Sequence, residues 1–187
     1  MEKTNKNPQI IAIVGMAGAG KSCTCEFLKK AGFAVLRFGD QTDIGVKELG
    51  LPLTEDNERK YREDLRKQYG MAAYAIKIEP RIKNSLKGNS KIALDGLYSW
   101  EEYVFLKKKF PKLILLCIYA HPEIRYRRLL ERKIRSLDQK KAVGRDIAEI
   151  VNLHKGGPIA IADYLVQNNS SIKKLHRELK NFLENLK

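Results

Sequence analysis

The sequence predicts an α/β fold, a parallel sheet covered by helices, on three observations. Short apolar runs alternate with longer amphipathic stretches, which is typical of consecutive βα units. The first apolar run leads into a glycine-rich loop that a helical pattern follows directly. The length of 187 residues fits one domain, because a second independent α/β core would need more chain. We therefore expect a single domain over residues 1–187.

Five apolar runs predict strands, since each is rich in the Ile, Leu, Val and aromatic residues that favour a sheet. They are Ile10 to Val14, Phe33 to Phe38, Lys91 to Leu94, Leu113 to Tyr119 and Tyr164 to Val166. Helical patterns separate these runs, so the strands are expected to lie parallel in one sheet.

Three helices have recognisable ends. One runs from Lys21 to near Gly32, a glycine suited to closing a helix. A second follows the capping-box pattern Ser-Trp-Glu-Glu at 99–102 and extends to about Lys109. The last covers about 171–186 and repeats apolar residues on one face, which predicts that this face packs on the core.

Two segments are too long to be simple connections. Residues 39–89 separate the second and third strands and predict two or three helices, one after Thr54 and another from about Ala72 to Leu86. Residues 121–162 separate the fourth and fifth strands. Insertions at the ends of parallel strands lie where an α/β sheet binds ligands, so both are predicted to cover a substrate.

The net charge is strongly positive. Lysine and arginine number 36 against 22 aspartate and glutamate, giving +14, which attracts polyanions of any kind. Phosphorylated metabolites and nucleic acid both stay open as partners. No export signal or membrane span is recognisable, so we expect a cytoplasmic protein without a membrane partner. The three cysteines lack metal-ligand spacing and are expected to be free thiols.

The sequence Gly-Met-Ala-Gly-Ala-Gly-Lys-Ser at 15–22 matches the phosphate-binding pattern G-x-x-x-x-G-K-[ST] completely. It lies between a β-branched run and a helix, so successive backbone N–H groups can converge on phosphate oxygens at the positive end of that helix. The alternative is a glycine-rich turn without nucleotide. The predicted nucleotide-binding residues are Gly15, Ala17, Gly18, Ala19, Gly20, Lys21, Ser22 and Cys23.

Three side chains are candidates for the chemistry at this loop. Lys21 is predicted to contact the β- and γ-phosphates of ATP, and the Ser22 hydroxyl to ligate Mg²⁺. A Mg²⁺ site needs an acidic member at the end of another strand, and Asp95 follows the third apolar run. Asp95 is therefore predicted as a metal ligand and catalytic residue; its alternative role is to cap a turn.

Other P-loop classes fit the sequence less well. Signalling GTPases pair the loop with D-x-x-G and N-K-x-D segments, neither of which occurs here, and large motor ATPases need a longer chain. The loop at 15–22, the segments 95–99 and 162–168, and the pair Arg145-Asp146 together resemble the nucleoside monophosphate kinase superfamily. Within it, the chain is most similar to dephospho-CoA kinase-like and adenylate-kinase-related proteins.

This resemblance implies a P-loop NTPase fold of three layers, α/β/α, with a five-stranded parallel sheet in the order 2-3-1-4-5. It also implies ATP as phosphoryl donor with Mg²⁺. A helical acceptor-binding insert is expected at about residues 40–89, and an arginine-bearing lid at about residues 121–146.

Arginines of the lid segment are spaced for one helical face. Arg125, Arg128, Arg132 and Arg135 follow one another at three, four and three residues. Arginines that close over a transferring phosphoryl group stabilise its charge, so Arg128, Arg132 and Arg135 are predicted to be catalytic, with Arg145 as a further candidate. A solvated basic face is the alternative.

The acceptor side has its own candidates. Arg59, Arg62 and Arg66 share a predicted helix face and are expected to hold the phosphate of the acceptor, unless they are simply exposed. Asp40 follows the second strand and could be a general base if the acceptor is a hydroxyl. The aspartate-rich segment expected of dephospho-CoA kinases is reduced here to Asp40 and Asp43, so the acceptor stays open.

Two functions follow from these features. The first is a Mg²⁺-dependent ATP:acceptor phosphotransferase acting on a small nucleotide-like substrate, either a nucleoside monophosphate or dephospho-CoA. The second is a nucleic-acid-associated P-loop protein, suggested by the charge of +14 and by the lysines at 107–109.

Overall fold

A single five-stranded sheet organises the chain. The computed structural model describes residues 8–133 and 136–186. Its strands are β1 (Gln9–Val14), β2 (Ala34–Arg37), β3 (Lys91–Asp95), β4 (Ile114–Tyr119) and β5 (Tyr164–Gln167). Every predicted strand is present, and no end differs from its prediction by more than one residue.

All strand pairs are parallel, in the order β2-β3-β1-β4-β5. β1 is the central strand: Ile11 is in register with Ala93 of β3 on one side and with Ile114 of β4 on the other. This confirms the three-layer fold and the strand order that the resemblance implied. The carboxyl ends of the strands form the edge at which α/β sheets bind ligands.

Helices connect these strands. They are α1 (Lys21–Lys30), α2 (Asp40–Glu48), α3 (Glu55–Tyr69), α4 (Ala73–Leu86), α5 (Trp100–Lys109), α6 (Pro122–Leu130), α7 (Gln139–Val151), α8 (Gly156–Ala160) and α9 (Ile172–Glu184). The segment between β2 and β3 contains three of them, α2 to α4, and a 3₁₀ turn at Gly70–Ala72 joins α3 to α4. No helix within the described ranges combines the length and the apolar character needed to cross a bilayer.

The core has two halves, one on each side of the sheet. Alternate residues of β1 point to opposite faces: Ala12 packs with α4 and α5 side chains, whereas Ile13 packs with α1 and α9. Both are fully buried. Full burial of a Leu or Ile side chain contributes about 1.5–3 kcal/mol, so these two faces fix the helices on the sheet.

Two predicted helix features can be compared with the structure directly. The capping box is present, because Ser99 Oγ accepts from the Glu102 N–H at 2.9 Å and Glu102 Oε2 accepts from the Ser99 N–H at 3.1 Å. On α9, Leu179 and Phe182 are buried as the apolar face predicted, but Ile172 at the first turn is exposed.

The predicted arginine helix is shorter than its spacing suggested. α6 ends at Leu130, whose carbonyl accepts from Ser136 Oγ at 2.7 Å, and α7 opens after Asp138, whose side chain accepts from the Lys141 N–H. Arg132 therefore lies beyond the helix, and the prediction that it shares a face with Arg128 was wrong. Arg135 lies outside the described residues.

Candidate active site

The phosphate loop connects β1 to α1 at the carboxyl edge of the sheet. Gly15 and Gly20 both adopt positive φ, at 138° and 110°. A Cβ at Gly15 would overlap the carbonyl oxygen of Ile118 on β4, and one at Gly20 would overlap Asn168 after β5. Only glycine fits these two positions, so the loop follows a path that no other residue type permits.

Lys21 bends back over the loop that precedes it. Its ammonium donates to the carbonyl oxygens of Gly15 at 2.8 Å and Met16 at 3.0 Å. Burial, and next the positive charge of Lys155, lower the pKa of Lys21 to about 7. The ammonium is thus placed at the loop where a phosphate would bind, in a surrounding that an anion would make favourable.

Two side chains distant in sequence donate hydrogen bonds to backbone carbonyls of the phosphate loop. Arg125 donates to the Ala17 carbonyl at 3.0 Å, and Asn168 Nδ2 donates to the Ala19 carbonyl at 2.8 Å. Arg125 is buried and also donates through two nitrogens to Asp146, at 3.0 and 2.6 Å. The spacing of the lid arginines suggested that Arg125 lies on an exposed basic face. Its guanidinium is instead buried and supports the phosphate loop.

Asp95 ends β3 beside the loop, in register with Ile13 of β1. Its carboxylate acts on both Lys21 and the Cys25 thiol, and burial together with this carboxylate raises the pKa of Cys25 well above its usual range. Ser22 is exposed at the start of α1. A hydroxyl and a carboxylate fit Mg²⁺, which takes one or two protein oxygens and completes its shell with water and phosphate oxygens.

A charge cluster that the sequence did not reveal adjoins Lys21. Lys155 donates to Glu149 Oε2 at 2.5 Å, and Arg145 Nε donates to Glu149 Oε1 at 2.9 Å. Lys155 is only 1% exposed and Glu149 is also buried, whereas Arg145 is partly exposed. Of these three, only Arg145 was a candidate. The one signal in the sequence is Gly-Gly-Pro at 156–158, which follows the lysine directly and begins α8.

A cleft of about 350 Å³ opens at the carboxyl ends of β2 and β3. Among the residues that line it are Arg37, Asp40, Thr42, Arg62, Arg66, Tyr74, Tyr98 and Glu102. α2, α3 and α4 all contribute, so the predicted insert does form the wall of a cavity. Burial raises the pKa of the Glu102 carboxyl to about 7. We call this cavity the acceptor cleft.

The three arginines predicted to hold the acceptor do not all line the acceptor cleft. Arg62 lines the cleft and pairs with Glu55 at 2.9 Å and with Glu58 at 3.4 Å. Arg66 lines it with its guanidinium 5.4 Å from the centre of the Tyr74 ring. Arg59 pairs with Asp56 at 2.8 Å and is not among the lining residues. Arg59 therefore points elsewhere, although its spacing suggested a shared face.

Asp40 is the first residue of α2 and lies in the wall of the acceptor cleft. Its carboxylate is 3.8 Å from Arg37 and 3.3 Å from Arg81. Arg37 in turn is 3.7 Å from Asp95. Through this arginine the acceptor cleft adjoins the aspartate beside the phosphate loop.

A second cleft, of about 240 Å³, lies on the other side of the loop, next to the end of β5. Its lining includes Gly20, Cys23, Arg128 and Asn168. Arg128 donates to the Ser170 carbonyl at 3.3 Å and to Asn168 Oδ1 at 3.4 Å. The structure thus separates Arg128 from the acceptor cleft and places it beside the predicted nucleotide loop, while Arg132 is exposed.

Together, the sheet order and the glycine-rich loop define a P-loop fold, with the strand order that the resemblance to the nucleoside monophosphate kinase superfamily implied. The AAA domain model matches residues 11–152. A UPF0200 protein of Pyrococcus abyssi is 33% identical over 91% of this chain and 92% of its own length. One of Methanocaldococcus jannaschii is 32% identical over 95% and 90%. The chain belongs to the UPF0200 family and carries this AAA domain.

Solved structures share the fold at low sequence identity. The protein TT1252 of Thermus thermophilus superposes with a TM-score of 0.66 at 22% identity, covering 97% of this chain and 100% of that one. A shikimate kinase from Acinetobacter baumannii, in complex with shikimate, has a TM-score of 0.56 at 15% identity and full coverage of both chains. At these identities the likeness extends to the fold alone.

Proposed function

We propose that this protein is a Mg²⁺-dependent phosphotransferase that moves the γ-phosphoryl group of ATP to a small nucleotide-like acceptor. The observation that carries the proposal is the meeting of two sites at one edge of the sheet. The phosphate loop and the acceptor cleft adjoin at Asp95, with Arg37 between Asp95 and Asp40. A small-molecule kinase among the structural neighbours supports a small-molecule acceptor.

The donor end has the parts that phosphoryl transfer requires. The loop amides and Lys21 bind the phosphates, and the nucleotide base occupies the second cleft beside Arg128 and Asn168. Ser22 and Asp95 hold Mg²⁺, which neutralises charge on the phosphate oxygens when bound. Because little covalent chemistry is left to the protein, positioning and charge stabilisation account for most of the catalysis.

The acceptor cleft combines cations with a carboxylate, which suits an anionic molecule that also bears a hydroxyl. Arg66 and Arg62 bind the anionic group, and Asp40 accepts the hydroxyl proton as the oxygen attacks the γ-phosphorus. The bond from that phosphorus to the β–γ bridging oxygen breaks, and ADP leaves. Dephospho-CoA fits this description directly. A nucleoside monophosphate would use the arginines and need no base.

Product analysis tests the proposal. The protein is incubated with ATP, Mg²⁺ and a panel of nucleoside monophosphates and dephospho-CoA, and phosphorylated products are separated. At least one acceptor should be phosphorylated, EDTA should stop the reaction, and Lys21→Ala should remove activity. ATP binding without turnover of any acceptor would count against the proposal.

The alternative, a nucleic-acid-associated P-loop protein, has less support from the contacts. The lysines at 107–109 occupy the last turn of α5, where cations are favoured by the helix dipole. Lys107 donates to the Leu113 carbonyl at 2.7 Å, and Lys109 is 3.9 Å from Glu79. Tight, steeply salt-dependent binding of RNA or DNA that survives in Lys21→Ala would favour this alternative.

A further inference from the structure

Lys155 lies near both sites of the proposed reaction, the phosphate loop and the acceptor cleft. Its ammonium is 4.5 Å from the centre of the Tyr98 ring, and Tyr98 lines the acceptor cleft. Its positive charge also acts on Lys21, so the two ammonium groups lie in the same neighbourhood. Lys155 therefore lies close to a residue of the acceptor cleft and to the lysine of the phosphate loop.

Stability alone does not explain a lysine at this position. Lys155 is 1% exposed, and its ammonium is paired with the Glu149 carboxylate. Removing both charges from water costs free energy that their attraction often fails to recover, and apolar side chains of similar volume are commonly as stable. A second positive charge beside Lys21 adds repulsion. Around Glu149 the cations Lys155, Arg145 and Lys21 outnumber the carboxylate, so a further anion would relieve their repulsion.

The backbone is strained and pinned so that Lys155 points inward. His154 adopts φ 50°, and it is the one residue other than glycine with positive φ in the described part of the chain. Strain of this kind persists only where the surroundings fix it. His154 Nδ1 is 2.8 Å from Glu101 on α5, and a Cβ at Gly157 would approach the Trp100 ring to 2.8 Å. The segment is thus anchored to α5 on both sides of Lys155.

We propose that Lys155 is a second phosphate-binding lysine, which contacts the γ-phosphoryl group of ATP from the acceptor side while Lys21 contacts it from the loop. Glu149 is its counter-ion before the nucleotide binds. Lys155 forms no covalent bond and keeps its protons; it stabilises the negative charge on the equatorial oxygens as the phosphoryl group moves. This role rests on the proposed function.

The affinities for ATP and ADP, measured without an acceptor, distinguish this role from a purely structural one. Calorimetry gives the affinities of the wild type, Lys155→Met, Lys155→Arg and Lys21→Ala for ATP and ADP in the presence of Mg²⁺. Lys155→Met should weaken ATP binding about tenfold or more, as expected for one lost charged contact, and leave ADP binding within about twofold. Lys155→Arg should retain part of the ATP preference, and Lys21→Ala should weaken both nucleotides.

Two further variants keep the test decisive. Lys83→Met removes an ion-paired lysine on α4 and should change neither affinity. If Lys155→Met does not fold, Lys155→Met/Glu149→Gln removes both charges of the pair and should show the same selective loss. Equal weakening of ATP and ADP, or no weakening of either, in the folded variant would overturn the role of Lys155.

The outcome is separable from that of the proposed function. A wild type that binds ATP but phosphorylates no acceptor would refute the phosphotransferase, and the comparison of ATP with ADP would still decide whether Lys155 contacts the γ-phosphate. A wild type that binds neither nucleotide would overturn both proposals.

Discussion

Replacing Arg125 by methionine tests whether this residue supports the phosphate loop from inside the protein. Methionine keeps most of the apolar volume and removes the guanidinium that binds Asp146, Ala17 and Ala120. Asp146 is buried and, among the residues that the structure describes, would keep the Tyr126 hydroxyl as its hydrogen-bond donor, at 3.0 Å. An uncompensated buried charge of this kind costs about 3–5 kcal/mol.

For a chain of this length, each kcal/mol shifts the melting temperature by about 2–4 °C, so Arg125→Met should melt about 6–20 °C below the wild type. Thermal and urea unfolding measure the change. Arg127→Met, on the exposed side of the same helix, is the matched control and should stay within about 0.5 kcal/mol of the wild type.

The double variant Arg125→Met/Asp146→Met sharpens the test. If the loss comes from the unpaired carboxylate, removing that carboxylate should recover much of the stability. The phosphate loop should be held less firmly in both variants, because the Ala17 carbonyl has lost Arg125 as its hydrogen-bond donor. A stability of Arg125→Met within 1 kcal/mol of the wild type would refute the supporting role.

Three other changes have definite expected outcomes. Burial raises the pKa of Glu102 from 4.5 to about 7, so the folded state binds more protons than the unfolded state between these values, and stability should fall as pH rises from about 4.5 to 7. Unfolding of Glu102→Gln across this range should show a weaker dependence on pH. Asn168→Ala removes the donor to the Ala19 carbonyl and should weaken ATP binding about tenfold, measured by calorimetry. Asp40→Asn should lower kcat about 10²- to 10⁴-fold with a hydroxyl acceptor; an unchanged kcat would exclude Asp40 as the base.

The fold was largely predictable because its signals are local. Each strand is a contiguous apolar run, and the loop at 15–22 carries its chemistry in eight consecutive residues. The helix at 100–109 was recognisable from Ser99 and Glu102, which cap it through contacts three residues apart. Where a residue and the neighbours that set its conformation lie in one short segment, the sequence is sufficient to predict the local structure.

The lid and the charge cluster were harder to predict because their contacts join distant segments. Arg125 has the same spacing as an exposed basic face, and only Asp146, 21 residues later, makes it a buried support. Lys155 precedes two glycines and has the pattern of an exposed turn, yet Glu149 and the anchoring contacts to α5 bury it. Spacing gives the face of a helix but not which neighbour covers it.

The bond from Asn168 to the Ala19 carbonyl also has a consequence for how the protein is made. It spans 149 residues, and the bond from Arg125 to the Ala17 carbonyl spans 108. The loop at the beginning of the chain is therefore finished only when β5 has docked at the other end. A growing chain on the ribosome would carry an intact loop sequence and lack these supports, so ATP would stabilise the molecule only after nearly all of it had been synthesised.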